Sequence, residues 1–194
     1  MVTNGKAGWY RSPDCLWSST TEIRGKVTLN GHYEDLEKFF VQTLGVKTPT
    51  LQMVYDELLQ AGPQASPSDV KAKIWSLNAL LETGSSYIDP DALKQAYVLP
   101  VINPDGTKSL VTANAEFAIG DRDYLTKKFQ YRIKLLDYNL KDIRHLRKFF
   151  EWAKLGHRYL SVAIREFTSV CGETEPLIPR RDRDLKRVAY GLLR

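Results

Sequence analysis

Leu36-Glu-Lys-Phe-Phe-Val-Gln-Thr-Leu-Gly45 returns, nearly copied, as Leu146-Arg-Lys-Phe-Phe-Glu-Trp-Ala-Lys-Leu-Gly156. Both stretches read Leu-x-Lys-Phe-Phe, then a short spacer, then Leu-Gly. At helical spacing the Leu, the second Phe and the late Leu share one face, so each copy predicts an amphipathic helix closed by Gly45 or Gly156. Leu36, Phe40, Leu146 and Phe150 are the expected core residues.

Working outward from the first copy, Asn30 is placed to cap a helix over 32–44, with Glu34 and Asp35 in the first turn where the helix dipole favours negative charge. Thr48-Pro49 then predicts a second helix with Leu51, Val54, Tyr55, Leu58 and Leu59 on one face, ending near Gly62-Pro63. Ser66-Pro67-Ser68-Asp69 reads as a capping box for a third. Its buried face is Val70, Ile74, Leu77 and Leu81, with Trp75 flanking, and it stops at Gly84. Asp89-Pro90 opens a further short helix. Upstream, 1–21 is irregular, with Trp9, Tyr10, Cys15, Leu16 and Trp17 as apolar anchors. Val27-Thr28-Leu29 suits a short strand, which Gly25 weakens.

The pattern changes after residue 96. Tyr97-Val-Leu-Pro-Val-Ile102 and Ser109-Leu-Val-Thr112 flank Asn103-Pro104-Asp105-Gly106, a hairpin signature. Pro100 predicts that the first of these strands lies at an edge, at least locally. Asp121 is placed to cap a short helix through Phe129. Arg132-Ile-Lys-Leu-Leu-Asp137 and Leu160-Ser-Val-Ala-Ile164 alternate and read as strands. Asn139 opens the long helix carrying the second Leu-x-Lys-Phe-Phe, 173–179 reads as a loop, and 182–193 as a final helix. The fold class is therefore α+β: a helical N-terminal part, then a small, mostly antiparallel sheet packed with helices. Residues 1–194 read as a single domain, with two lobes, 1–88 and 89–194, as the alternative division.

The formal charge of +5 is unevenly spread. Residues 1–120 hold 10 Lys/Arg against 13 Asp/Glu, and residues 121–194 hold 18 against 10. A basic C-terminal portion suits an acidic partner, and it equally suits a well-solvated surface. Its clearest expression is the helix over 139–154. Ile143, Leu146, Phe149, Phe150 and Ala153 form one side. Arg144, Arg147, Lys148, Lys154 and then Arg158 form the other, interrupted by Glu151. These five cations are the candidate surface for an acidic protein partner, the remainder of a larger chain, or nucleic acid.

Chemistry-bearing motifs are scarce. Asp56-Glu57 are neighbours that do not face one another on a helix. Asp121/Asp123 and Asp182/Asp184 stand at expected helix starts, where capping explains them. His32, His145 and His157 lack ligand spacing, so no metal is expected. Cys15 and Cys171 read as two buried thiols in a reduced compartment, with one disulfide as the alternative, and a nucleophilic pair such as Cys15 with His32 would meet only in space. With no phosphate-cradling glycine loop, no cofactor and no ATP binding are expected. No stretch is apolar for long enough to span a membrane, and residues 1–8 lack the apolar core of a secretory signal.

Asp14-Cys-Leu-Trp-Ser18 and Tyr33-Glu-Asp-Leu-Glu-Lys-Phe-Phe-Val-Gln-Thr-Leu-Gly-Val46 resemble an internal module of very large, mostly fungal proteins similar to NO VEIN and sacsin. Those proteins begin with an Hsp90-like ATPase domain. Gln52-Met-Val-Tyr-Asp-Glu-Leu58, Phe117-Ala-Ile-Gly-Asp-Arg122, Lys134-Leu-Leu-Asp137, Arg158-Tyr-Leu-Ser161 and Ala189-Tyr-Gly-Leu-Leu193 extend the resemblance over most of the chain. The ATPase motifs of that family, Asn-x-x-Asp-Ala and Asp-x-Gly-x-Gly, are missing here. The resemblance therefore implies a non-ATPase segment, cytoplasmic or nuclear, with a chaperone-like or regulatory role. The expected function is a non-catalytic interaction or scaffolding module. The alternatives are a small cofactor-free isomerase or cyclase with an aromatic-lined pocket, and a nucleic-acid-binding module using the basic C-terminal face.

Overall fold

The computed structural model describes residues 2–3, 6–18, 21–84 and 87–165. Expectations for Cys171, 173–179, Asp182/Asp184 and the helix over 182–193 lie outside these residues. The unit that holds every element below ends at Ile164.

Near the start, β1 (Val2–Thr3) pairs antiparallel with β2 (Lys6–Ala7). β3 (Cys15–Leu16) then pairs parallel with β4 (Val27–Thr28). Leu16 also bridges to Lys47, bringing the first Phe-Phe stretch against this ladder. Cys15, Trp17, Leu29, Phe40 and Val46 are buried together as a local core, and Phe40 lies between Trp17 at 5.7 Å and Tyr33 at 5.1 Å. Of the expected anchors, Leu16 and Trp17 are buried, whereas Trp9 is fully exposed.

The first copy of the repeat is not an α-helix. It runs as short 3-10 turns at Asn30–His32 and Glu34–Leu36, then as a single wide π turn over Phe39–Thr43. Asn30 is the first residue of a 3-10 turn, not the cap of a helix. Leu36, expected in the core, is 46% exposed, while Phe40 is 5% exposed. Leu44 donates to the Phe39 carbonyl five residues back, and Val46 donates to the Phe40 carbonyl. The 3.6-residue period that would have aligned Leu44 with Phe40 is thereby broken, and Leu44 is 37% exposed. Gly45, at φ +67°, closes the element as expected.

α1 (Leu51–Leu59) and α2 (Pro67–Glu82) follow. The cap of α1 is Thr50, whose side chain accepts from Met53 N–H, so the helix begins later than Thr48-Pro49 suggests. α2 begins with Pro67 at its first position as read, but Ser66 Oγ meets Ser68 Oγ instead of closing the capping box. Asp89 caps the short 3-10 segment Pro90–Gln95 by accepting from Asp91 N–H.

β5 (Leu99–Ile102) and β6 (Lys108–Val111) form the hairpin, and β7 (Leu135–Leu136) pairs antiparallel on the other side of β5. The order β6-β5-β7 makes β5 central, so Pro100 does not lie on an edge strand. The physical reason is local. In an antiparallel ladder a residue's nitrogen and carbonyl point the same way, and the Pro100 carbonyl accepts from Asp137 N–H, just beyond the two-residue ladder to β7. The missing donor falls where that ladder has already ended.

α3 (Asp123–Phe129) follows Arg122, not an Asp121 cap. The long helix expected over 139–154 is broken into α4 (Leu140–His145) and α5 (Arg147–Trp152), with Leu146 at φ −81°, ψ 11° between them. Asn139 caps α4 as expected, accepting from Asp142 N–H. The second copy closes on Lys154, at φ 59°, and not on Gly156. Leu155 N–H returns to the Phe150 carbonyl, the six-to-one bond of a left-handed helix end. Finally, 160–164 is not a strand: Leu160–Ala163 makes one helical turn, α6.

The main core joins α1, α2, the sheet and the inner side of α4–α5, with Val54, Leu58, Ile74, Leu77, Val101, Leu146, Phe149 and Phe150 all fully buried. A smaller cluster of Ala118, Leu125, Leu135 and Leu160 lies beside β7. The result is an α+β fold.

Candidate functional site

The five cations singled out in sequence differ in their exposure and partners. The apolar side of α4–α5 is buried throughout: Ile143, Leu146, Phe149, Phe150 and Ala153. Arg144, Arg147, Lys148 and Lys154 are exposed on the other side. Arg147 Nε donates to Glu151 at 2.7 Å, one turn along α5. Lys154 Nζ lies 3.5 Å from Asp91, which Lys94 also binds at 2.6 Å. The Lys94 hydrogen bond, and then the nearby Lys154 charge, hold the Asp91 carboxyl below its usual range.

Arg158 leaves the stripe altogether. It is half-buried, donates from Nη2 to the Ala113 carbonyl at 3.3 Å and sits 5.1 Å from the centre of the Phe117 ring. Its Nε is buried without a partner among the described residues. Helical spacing could not foresee this, because Lys154 in the left-handed region redirects the chain between α5 and Arg158. Of the five, Arg144 and Lys148 remain exposed without an ion pair among the described residues.

Three polar constellations escaped the sequence reading, since their members are far apart in the chain. In the first, Asp137, 9% exposed, accepts from Lys71 Nζ at 2.7 Å and from Lys108 Nζ at 3.3 Å. Lys71 also sits over the Tyr138 ring at 5.1 Å. The Tyr138 hydroxyl is buried without a partner among the described residues, and burial, followed by the charges of Asp137 and Asp142, pushes its ionisation far up. That phenol stays neutral at any physiological pH.

In the second, Glu57 accepts from Lys73 Nζ at 2.7 Å and from Arg24 N–H at 2.9 Å. Burial by itself would raise this carboxyl. Hydrogen bonds from Lys73 and Arg24, with their charges, outweigh burial and bring it below its usual range. In the third, Asp121 accepts from both the N–H and the Oγ–H of Ser161, capping α6 from across the fold. This supplies the reason that 160–164 turns helical despite its alternation. It also explains why Asp121 does not cap α3. Ser161 thus bonds a carboxylate, with no histidine among its hydrogen-bond partners in the described residues, and the pair is a fastening.

The buried Cys15 thiol donates to the Arg11 carbonyl at 3.4 Å. Burial, with Asp14 adding to it, pushes the thiol up, away from nucleophilic character. Beneath α5 lies a narrow apolar cleft of about 10 Å³, walled by Leu93, Val98, Leu99, Phe149 and Leu155, with Lys94 at its rim. Among the described residues, no three His, Cys, Asp or Glu side chains converge as metal ligands, and no helix is long and apolar enough to cross a membrane.

The comparisons with known proteins bear on the same region. Residues 52–164 match the family described as Domain of unknown function (DUF8348). No curated protein and no solved structure matches the chain. The matched residues run from α1 through α6 and take in the hairpin, the Asp137 and Asp121 constellations and the α4–α5 surface. With more than half of its length matched, the chain belongs to the DUF8348 family.

Proposed function

We propose that the chain is a non-catalytic interaction module that engages an acidic protein partner through the outer side of α4–α5. The observation that carries this reading is the state of Arg144 and Lys148. They are exposed on either side of the break at Leu146, among the described residues neither makes an ion pair, and the helices bearing them are fixed from behind by buried Ile143, Phe149 and Phe150. Cations on a rigid backing lose little freedom when a partner binds. The resemblance to the module of NO VEIN- and sacsin-like proteins supports seeking that partner in the remainder of a longer polypeptide, or in a separate cytoplasmic or nuclear protein.

The competing readings have less behind them. A cofactor-free isomerase or cyclase needs a pocket on the order of 300 Å³ or more. The apolar cleft under α5, at about 10 Å³, holds roughly one water, so this cleft, among the described residues, is not that pocket. The carboxylates Glu57, Asp121 and Asp137 are each engaged by hydrogen bonds, which leaves them poor candidates for general bases. A duplex-binding surface typically neutralises six or more phosphates, and two unpaired cations on this face would give a salt slope of only about −2.

The test is fluorescence anisotropy of a labelled oligoglutamate peptide, with a labelled DNA duplex in parallel. Saturable peptide binding that weakens with salt, and that Arg144→Glu with Lys148→Glu removes while the melting curve stays in place, is the expected result. A peptide ignored by the parent chain even at low salt sinks the reading. Preference for the duplex transfers the surface to nucleic acid.

A further inference from the structure

The first Phe-Phe stretch carries a second surface of opposite character. Leu36, Phe39 and Leu44 are 46%, 48% and 37% exposed. The π turn is what joins them. In an α-helix, Leu44 would stand well round the axis from Phe39, since five residues turn through about 500°. Here Leu44 N–H closes on the Phe39 carbonyl at 3.0 Å, so the wide turn brings it back above Phe39, with Leu36 one turn below. The strip is also held rigid. Phe40, next to Phe39, is clamped between Trp17 and Tyr33, and Phe39 rests edge-on against Phe40 at 5.4 Å.

The charges beside the strip select its occupant. Glu34, Asp35 and Glu37 are exposed and flank Leu36 directly, with Lys38 the cation among them. An acidic margin on an apolar strip disfavours a second copy of the same strip, because like charges would meet. Nor does the basic face of α4–α5 suit it, since Ile143, Leu146, Phe149 and Phe150 are buried in the core and the exposed side offers chiefly charge. The complement is a segment with apolar side chains at helical spacing and lysine or arginine around them.

We propose that Leu36, Phe39 and Leu44, margined by Glu34, Asp35 and Glu37, form a docking strip for a cationic amphipathic helix of a partner protein. This surface is separate from the α4–α5 face, precedes the family-matched residues, and stands or falls independently of the acidic-partner reading.

The test uses the full chain and two labelled model peptides with leucines at the same helical positions, one with lysine and one with glutamate elsewhere. Anisotropy should show saturable binding of the lysine peptide and at least ten-fold weaker binding of the glutamate peptide. Phe39→Glu with Leu44→Glu should weaken the lysine peptide at least ten-fold without moving the melting temperature. Should that pair perturb the fold, Glu34→Lys with Glu37→Lys, at exposed positions, should reverse the preference between peptides. Arg144→Glu with Lys148→Glu should leave lysine-peptide binding unchanged. Equal binding of both peptides, or binding indifferent to both strip variants, overturns the proposal. Self-association in sedimentation that Phe39→Glu removes also overturns it, by identifying a second copy as the occupant.

Discussion

Asn78 Oδ1 accepts the backbone N–H of Phe149 at 3.0 Å, and its Nδ2 donates to the carbonyl of His145 at 3.2 Å. One side chain on α2 therefore satisfies the carbonyl at the end of α4 and an amide at the start of α5. Groups freed by the break at Leu146 would otherwise be buried without partners.

Asn78→Ala should cost about 2–4 kcal/mol, because it strands a buried amide and a carbonyl together. Asn78→Asp should be worse than its size suggests, since it loses the donor and places a charge beside Glu82, the other acceptor of Nδ2. Urea denaturation of the two variants against the parent checks both statements. An Asn78→Ala loss below about half a kcal/mol would show that the break holds itself.

The two copies of the repeat should separate cleanly in stability. Phe40→Ala and Phe150→Ala should each cost about 3–5 kcal/mol through lost burial and the cavity left behind. Leu36→Ala, at an exposed position, should stay within about 0.5 kcal/mol. Thermal melts of the three variants decide it, and a large loss for Leu36→Ala would return that residue to the core.

These contrasts mark where the sequence was legible. Amphipathic periods identified the buried faces of α1, α2 and α4–α5, since Val54, Ile74, Leu77 and Phe150 repeat at helical spacing and meet one core. Asn-Pro-Asp-Gly likewise announced the β5–β6 hairpin. What escaped were effects set by distant partners. Nothing local tells Leu146 to break a helix, because Asn78 stabilises the break from 71 residues away. Alternation at 160–164 yielded to Asp121, which lies 40 residues before Ser161. Of the candidate surface, Arg144 and Lys148 were readable from spacing. The turning away of Arg158 was not, for it depends on a backbone reversal at Lys154.

That reversal has a cost. Lys154 holds φ 59°, a region where a side chain is strained and glycine is not. Lys154→Gly should stabilise by about 0.5–1 kcal/mol after the added freedom of the unfolded chain is subtracted. Losing the exposed contact to Asp91 at 3.5 Å takes little away. Chemical denaturation checks the sign; destabilisation would show that the lysine side chain contributes more than its conformation costs.

The Glu57 carboxyl is held below its ordinary value in the folded state, so it contributes stability above the unfolded pKa of about 4.3. That contribution is lost as pH falls through the lower folded value. Lys73→Met should therefore lower stability near pH 7 by about 1.5–3 kcal/mol and make the acid limb below about pH 4.5 shallower. Denaturation midpoints measured from neutral to acid pH give the comparison. Parallel curves for parent and variant would assign the acid loss to other groups.

The Tyr138 hydroxyl is buried without a partner among the described residues, so Tyr138→Phe removes an unmet polar group and keeps the ring under Lys71. Stability should be unchanged or raised by up to about 1 kcal/mol. A calorimetric melt shifted downward would point to a bond that this hydroxyl makes.

The Asn78 clasp also sets an order of assembly. α4 and α5 have six residues each, far below the dozen or so at which an isolated helix begins to persist in water. Their shared junction is completed only when a loop of 71 residues has closed and brought α2 to Phe149. Neither can seed the fold. α1 and α2, neighbours in the chain, are the natural early pair, and the C-terminal helices form as the ring shuts. Substitutions at the junction should therefore speed unfolding while leaving the folding rate nearly untouched, which makes residues 140–152 the latch that governs how long the native state lasts.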